Sequence, residues 1–261
     1  GTTNSNSCAS GVISVGEALR YIRDDMADVI LAGGAEAPLS PLTYGAFDFI
    51  KTMSRWDGDP PFACKPFDLN RDGFVMGEGA ATLVIEEYEH AVRRGARIYA
   101  EVLGYSLNNE AWHMTTPLPS GECVIACMRE ALADAKVQPE QVGYINAHAS
   151  GTQANDSNES AAVRAVFGNG SSSAADLPAT SGTKPFTAHP LGATGAIETV
   201  ICALALSEGF LPPTLHHQTP DPACGLDVVP NVGRPAKINY AMNNAFGFGG
   251  INASLVLGRV E

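Results

Sequence analysis

Apolar runs of strand length alternate with amphipathic helical segments along most of this 261-residue chain. Val12, Val15 and Leu19 recur at helical spacing, which predicts a helix over residues 8–23. Residues 28–34 form an apolar run ending in two glycines, the pattern of a buried strand. This alternation predicts an α/β fold. The other predicted strands are 80–86, 98–106, 142–146, 238–242 and 253–257, and the other predicted helices are 87–94, 121–135, 156–167 and 195–206.

Polar or reactive side chains stand at the predicted N-terminal ends of two helices. Cys8 stands at the N-terminal end of the first helix, where the helix dipole and free N–H groups favour a thiolate. Asp156 and Glu159 have the spacing that resembles a capping box, so we expect the helix that runs to Phe167 to begin there.

The composition excludes several classes of protein. Hydrophobic residues make up 45% of the chain and charged residues 17%, which is typical of a compact fold. The net charge of −12 argues against a nucleic-acid or anionic-membrane surface, and docking of any acidic partner would need a local basic patch. No apolar run approaches the ~20 residues of a spanning helix, and we expect no signal peptide.

The cysteine pattern gives little support to zinc or disulfide chemistry. No two of the cysteines form a Cys-x-x-Cys pair. Cys123 and Cys127, four residues apart in a predicted helix, are interpreted as small buried side chains rather than a metal or redox pair. Reduced thiols in the cytoplasm fit this pattern best. The six are Cys8, Cys64, Cys123, Cys127, Cys202 and Cys224.

Four short stretches carry groups suited to thioester chemistry. Residues 7–11 contain Cys8, residues 146–152 contain His148, and residues 184–192 contain Lys184 and His189. The fourth stretch, Phe246-Gly247-Phe248-Gly249-Gly250, can bring backbone close to a substrate. A thiolate carries an acyl group, histidines manage developing negative charge, and backbone N–H groups hold an oxyanion.

These motifs resemble those of β-ketoacyl-(acyl carrier protein) synthases, the elongating condensing enzymes of fatty acid and aromatic polyketide synthesis. The likeness continues through residues 28–36, 71–79 and 111–115, and it covers essentially the whole chain. It implies the thiolase-like fold of two similar halves, each a mixed sheet with helices, stacked in five layers.

In that family a sizeable N-terminal portion precedes the cysteine. We therefore expect residues 1–96 to be the remainder of an incomplete N-terminal half, and residues 97–261 to be the C-terminal half. A fragment, a cleavage product and one piece of a split protein all fit this expectation.

The resemblance also implies roles for the motif residues. Cys8 is the nucleophile, and the backbone N–H groups of Cys8 and Phe248 form the oxyanion hole. His148 and His189 serve malonyl decarboxylation by holding the thioester oxygen while CO2 leaves. Lys184 orders the site together with the histidine loops.

Supporting positions follow from the same likeness. Glu159 is the expected structural partner of Lys184, and Asn252 keeps the usual residue after the glycine loop. Phe74 matches the gate of the acyl pocket, with a core phenylalanine as the alternative. The basic residues at positions where carriers dock are Lys51 and Arg55.

The first histidine motif departs from the family pattern. The family commonly has His-Gly-Thr-Ser-Thr, whereas this chain has His148-Ala149-Ser150-Gly151-Thr152. An alanine in place of that glycine is costly if the position requires a positive φ. The Ser-Gly-Thr ending resembles the aromatic polyketide branch.

The reaction expected from the likeness is decarboxylative condensation of a Cys8-bound acyl group with a malonyl group, without metal or other cofactor. The partners would be acyl carrier protein carrying acyl and malonyl groups, and either a second copy of the chain or a chain-length subunit. Fatty acid and polyketide roles stay open.

Two alternatives remain. A thiolase needs a second cysteine near the glycine loop, and Cys224, the last cysteine, lies outside it. A non-catalytic chain-length subunit is the other alternative, and such subunits lack the nucleophilic cysteine.

Overall fold

The two main sheets of the protein differ in size and in strand direction. The computed structural model describes residues 1–168 and 173–260. The strands are β1 (Val29–Glu36), β2 (Gly79–Glu86), β3 (Glu101–Asn109), β4 (Val142–Asn146), β5 (Ala179–Ser181), β6 (Phe210–Leu211), β7 (Arg234–Pro235), β8 (Tyr240–Gly247) and β9 (Ile251–Gly258). The helices are α1 (Ser10–Arg23), α2 (Pro41–Phe49), α3 (Tyr88–Arg93), α4 (Glu122–Ala135), α5 (Gln153–Phe167), α6 (Lys184–Thr187) and α7 (Leu191–Glu208).

The larger sheet has the order β3-β9-β8-β4-β5. It is mixed, because β4 runs parallel to both β8 and β5 while the other pairs are antiparallel. Strands β1 and β2 form a separate antiparallel pair, and so do the short strands β6 and β7. The predicted α/β class is therefore confirmed.

Helices α1 and α7 lie between the two main sheets. Helix α7 packs against α1, β1, β2 and β8, and α1 packs against β1 and β3. The two helices approach closely at Gly11 and Gly195, where an added Cβ would collide with the backbone of the other helix. This close approach brings the start of α1 next to the segment that precedes α7, and both places carry site residues.

Helix α7 is 18 residues long with a mean hydropathy of 1.4, so its length and composition would allow it to cross a membrane. The prediction that no apolar run comes close to that length is therefore wrong. Most of the helix is buried inside the protein, where it packs against both main sheets. It is the core helix of the fold.

The predicted burial of the first strand is wrong. Strand β1 forms as expected, but Val29 is 45% exposed and Leu31 is 72% exposed. One face of the β1-β2 pair packs on α1 and α7, and the other face carries these exposed side chains together with Val84. An apolar run predicts a strand but does not show which faces are covered.

The predicted capping box at Asp156 is also wrong. Helix α5 begins three residues earlier, at Gln153, and its N-cap is Thr152, whose hydroxyl accepts a hydrogen bond from Asn155 N. Asp156 and Glu159 lie inside the helix and are fully buried. Their carboxylates bind backbone N–H groups of neighbouring loops instead of their own helix terminus.

Candidate active site

Cys8 lies in a single 3-10 turn, Ser7–Ala9, that leads directly into α1. The Ser10 hydroxyl fixes this turn by donating to Ser7 O at 2.7 Å and accepting from Asn6 N at 2.8 Å. Cys8 is 8% exposed, and its Sγ lies 3.1 Å from His189 Nε2. The fold therefore brings together a thiol and an imidazole that stand 181 residues apart in the chain.

The resting form of this thiol differs from the thiolate that the sequence suggested. Burial raises the pKa of Cys8 to about 11, although the nearby Lys184 charge and the Phe248 N–H act in the opposite direction. Removing the sulfur from water therefore outweighs the field at the helix start. The thiol is neutral at neutral pH and must give up its proton during the reaction.

His189 is held from three directions. Its backbone N donates to Val75 O at 2.7 Å, and its carbonyl accepts from Gly77 N at 3.1 Å. Its Nδ1 lies 2.9 Å from the Thr194 hydroxyl of α7. Burial, followed by the Lys184 charge, lowers the pKa of His189 well below its usual range, so the ring is neutral at pH 7.

His148 follows β4 and faces His189, with ring centroids 5.4 Å apart at 80°. Glu159 fixes its loop, because the two carboxylate oxygens accept hydrogen bonds from His148 N at 2.8 Å and Ala149 N at 2.9 Å. Burial lowers the pKa of His148 well below its usual range, with smaller effects in the same direction from Lys184 and His189. Its Nδ1 is buried without a hydrogen-bond partner.

Ala149 has a φ of 41°, in the left-handed region. The position therefore has the positive φ at which an alanine is costly, and Ala149 carries the strain that a glycine would avoid. The Glu159 hydrogen bonds on both sides of the strained peptide hold the loop in this conformation.

Lys184 is buried and contacts the carbonyl of His148 and the carboxylate of Glu198 on α7. Its Nζ lies 2.7 Å from Glu198 Oε1. The prediction that Glu159 is its structural partner is wrong, because the ammonium pairs with Glu198, while the Glu159 oxygens accept from the backbone of the His148 loop. Glu198 was missed in the sequence, where its signal is a carboxylate inside an otherwise apolar helix.

Arg71 is a second residue that the sequence reasoning did not single out. It is 2% exposed, and its guanidinium lies 2.6 Å from Asp221 and 3.6 Å from Asp156. It also donates to the carbonyl of Thr152 at 3.1 Å. These contacts tie the segment around residue 71 to the start of α5 and therefore to the His148 loop.

The turn between β8 and β9 brings a second backbone N–H to the thiol. The N–H groups of Phe248 and of Cys8 itself both lower the pKa of Cys8, which places them at its sulfur. Gly247 makes this approach possible, because an added Cβ would lie 3.1 Å from Ser7 Cβ and 3.2 Å from Cys8 N. Both N–H groups therefore lie beside the nucleophile, which is the region where an oxyanion hole needs its donors.

These groups open onto a cavity of about 250 Å³. Phe74 is buried at its wall, with its ring centroid 5.5 Å from that of His189 and 5.6 Å from that of Phe47. Asn252 also lines the cavity, and its amide donates to Asn108 Oδ1 at 3.1 Å. Residues that the sequence places far apart, Cys8, Phe74, His148, His189, Phe248 and Asn252, therefore share one cavity.

The two predicted docking residues lie outside that lining. Lys51 and Arg55 are both exposed, and Arg55 pairs with Asp48 at 2.9 Å. Cys224, the cysteine considered for a thiolase, lies in a short turn beside Asp221 and does not line the cavity. The thiolase interpretation therefore lacks the second thiol it requires at this site.

Comparison with known families agrees with the fold and the geometry. The family model of the β-ketoacyl synthase N-terminal domain matches residues 2–91, and that of the C-terminal domain matches residues 99–218. The chain belongs to the β-ketoacyl synthase family. It is 46% identical over 253 residues to a 3-oxoacyl-[acyl-carrier-protein] synthase 2 of Coxiella burnetii. It is 45% identical over 255 residues to a putative polyketide beta-ketoacyl synthase 1 of Streptomyces cyaneus.

These matches cover 97% and 98% of the chain but 60% of each relative, so the chain spans about 60% of the length of the curated relatives it matches. Among solved structures it is similar to a chain in the structure of a type II PKS acyl-carrier protein in complex with its ketosynthase, with a TM-score of 0.95 at 41% identity. That match covers 100% of this chain and 63% of the other. A beta-ketoacyl synthase from Burkholderia phymatum matches with a TM-score of 0.92 at 40% identity, covering 98% of this chain and 61% of the other.

Proposed function

We propose that this chain carries the acyl-transfer and condensation site of a β-ketoacyl-(acyl carrier protein) synthase. The observation that carries the proposal is the 3.1 Å contact between Cys8 Sγ and His189 Nε2, at a cavity that His148 also lines. A nucleophile within hydrogen-bond reach of a base is the signature of covalent catalysis.

In the first half-reaction Cys8 attacks the thioester carbonyl of an acyl carrier protein. The Sγ–H proton passes to His189 Nε2, and the N–H groups of Cys8 and Phe248 hold the oxyanion. The bond between the carbonyl carbon and the carrier sulfur then breaks. The departing carrier thiolate takes the proton from His189, which leaves the acyl group on Sγ and a neutral imidazole.

In the second half-reaction malonyl carrier protein enters the same cavity. Neutral His148 and His189 donate N–H hydrogen bonds to its thioester oxygen while the bond to the carboxylate breaks and CO2 leaves. The enolate carbon then attacks the acyl carbon on Cys8, and the Cys8 thiolate is expelled. The product is a β-ketoacyl carrier two carbons longer. The buried Lys184 charge supports this step, because it helps to keep both rings neutral.

The acyl chain and the carriers have separate places in this proposal. Phe74, packed edge-on against Phe47 and His189, would move aside as the acyl chain enters. Lys51 and Arg55 would contact the carrier, with Asp48 competing for Arg55. The chain is about as similar to the 3-oxoacyl synthase as to the polyketide synthase, so we propose the reaction both names share.

The assembly and the domain boundary are proposals as well. The assembly would be a homodimer or a pair with a chain-length subunit, and neighbours titled as ketosynthase and chain length factor structures support the second of these. A boundary between two thiolase-like halves near residues 96–97 is supported by the separate matches of the two domain models. A cytoplasmic location fits the six free cysteines.

The experiment measures the two half-reactions separately, using acyl carrier and malonyl carrier proteins with the 261-residue chain. We expect His148→Ala to lose CO2 release from malonyl carrier while keeping acyl transfer to Cys8. Cys8→Ala should lose acyl transfer, and His90→Ala, which changes a histidine outside the cavity lining, is the control. A folded chain that performs neither half-reaction would support a non-catalytic subunit instead.

A further inference from the structure

The hydroxyl of Thr194 is used in an unusual way for a helix interior. Thr194 is 1% exposed in the first turns of α7, and its Oγ1 lies 2.9 Å from His189 Nδ1. A buried helical threonine commonly donates to the carbonyl four residues earlier. Thr199 on the same helix does so, with its Oγ1 2.7 Å from Gly195 O. Thr194 therefore stands out as a hydroxyl directed at the histidine.

The surroundings of His189 explain why a hydroxyl stands there. Pro190 follows the histidine and has no N–H to offer its ring. The carbonyl of Pro190 already accepts the hydrogen bond from Ala193 N at 2.8 Å. The ring is buried, so Nδ1 needs a partner from the protein.

A hydroxyl can both donate and accept, and a carbonyl or an N–H cannot. When His189 carries its proton on Nε2, Thr194 donates to Nδ1. When the neutral ring carries its proton on Nδ1 instead, Thr194 accepts from that N–H, so Nε2 is free to take the Cys8 proton and the ring then has an N–H at both nitrogens. We propose that Thr194 is a positioning residue whose hydroxyl reverses its hydrogen bond, so that His189 can be the base of acyl transfer and the N–H donor of decarboxylation.

This inference rests on the proposed function for the two half-reactions, but its chemistry can be measured without carrier proteins. Alkylation of Cys8 by iodoacetamide needs the thiolate. With a neutral imidazole in contact, a thiolate–imidazolium pair is an ionic tautomer of the neutral thiol–imidazole pair. The fraction of molecules that hold this ionic pair does not change with pH between the pKa of His189 and the pKa of Cys8. Wild-type alkylation should therefore show a plateau around neutral pH and rise again as the pH approaches about 11, where burial places the pKa of Cys8.

The alkylation rate at the plateau measures how strongly the Thr194 hydroxyl stabilises the ionic pair. Without it, the imidazolium Nδ1–H has no acceptor, and the ionic pair becomes rarer. The other titratable groups that act on Cys8 or His189 are His148, Lys184 and Glu198, and none of them is changed. A structural defect alone would not lower the plateau while leaving the rise toward pH 11 in place.

The experiment follows alkylation of the full chain from pH 6 to pH 11, with each cysteine resolved by peptide mass. Thr194→Val should lower the Cys8 plateau by about tenfold, as expected for losing one hydrogen bond to a charged group. Thr194→Ser should restore it, and Thr199→Val, which removes a buried hydroxyl from the same helix, should keep the wild-type profile. Thr194→Ala replaces the valine variant if that variant does not fold.

Two results would overturn the inference in distinguishable ways. A Thr194→Val profile equal to wild type, in a chain that is folded by circular dichroism, would show that the hydroxyl has no part in the proton transfer. A wild-type Cys8 with no plateau would contradict both the inference and the thiol–imidazole pair of the proposed function.

Discussion

Lys184 Nζ lies 2.7 Å from Glu198 Oε1, and both side chains are 1% exposed. The same ammonium contacts the carbonyl of His148. One buried ion pair therefore connects the core helix α7 to the loop of one histidine, and its positive charge helps to keep both histidines neutral. Because the pair is buried, removing one of its two charges should lower the stability of the fold.

Lys184→Met should destabilise the protein by about 3–5 kcal/mol, because it leaves the Glu198 carboxylate buried without a counter-charge. The double variant Lys184→Met/Glu198→Leu should recover part of that loss. Urea unfolding measures both. Arg97→Met, which breaks an exposed pair with Glu208, is the control and should cost about 0–1 kcal/mol. A single variant no less stable than the double variant would contradict this account of the pair.

Ala149→Gly should stabilise the protein by about 1 kcal/mol, because glycine adopts a positive φ without the Cβ strain. Ala147→Gly is the control two residues earlier. Ala147 is buried, and it is not among the residues with a positive φ, so this change should destabilise. Thermal unfolding compares the two. A loss of stability at both positions would show that the strain at Ala149 is not relieved.

The stability should fall as the pH rises from about 4.3 to about 7, between the unfolded and folded pKa values of Glu159. Burial raises the pKa of Glu159 to about 7, and the hydrogen bonds from Ala149 and His148 only partly offset it. A carboxyl whose pKa is higher in the folded state holds its proton there, so its contribution is present below the unfolded pKa of about 4.3 and is lost as the pH rises through about 7. Glu159→Gln should flatten this slope, measured by urea unfolding at several pH values. An unchanged slope between pH 5 and 7 would refute the assignment.

Phe74→Ala should enlarge the cavity beside Cys8 and cost about 3–5 kcal/mol of stability. The rate of Cys8 modification by a bulky maleimide should rise relative to that by iodoacetamide, because a ring at the wall of the cavity that Cys8 lines is gone. Phe186→Ala removes a ring that is 57% exposed and should leave both the stability and the ratio of rates close to wild type. An unchanged ratio in folded Phe74→Ala would mean that this ring does not limit access.

Local patterns in the sequence predicted much of this fold. The helical periodicity predicted α1, and the apolar runs on both sides of the glycine loop predicted β8 and β9. These predictions are confirmed because both patterns depend only on residues that are close in the chain. The motif residues Cys8, His148 and His189 do share a cavity, as their resemblance to a known family implied.

The wrong predictions depend on contacts between distant residues. The partner of Lys184 is Glu198 rather than Glu159, since only the packed fold decides which carboxylate lies beside the ammonium. The pKa of Cys8 is raised because burial is a property of the whole fold. The same holds for the exposed face of β1, which no local pattern could reveal.

The most direct test of the central claim is whether this chain forms an acyl-enzyme at Cys8. The folded chain is incubated with an acyl carrier thioester, and the adduct is located by peptide mass. The account predicts one acyl group on Cys8, its absence in Cys8→Ala, and none on Cys202, a buried cysteine of α7 that lies away from the cavity lining. A folded chain whose Cys8 stays unmodified would contradict it.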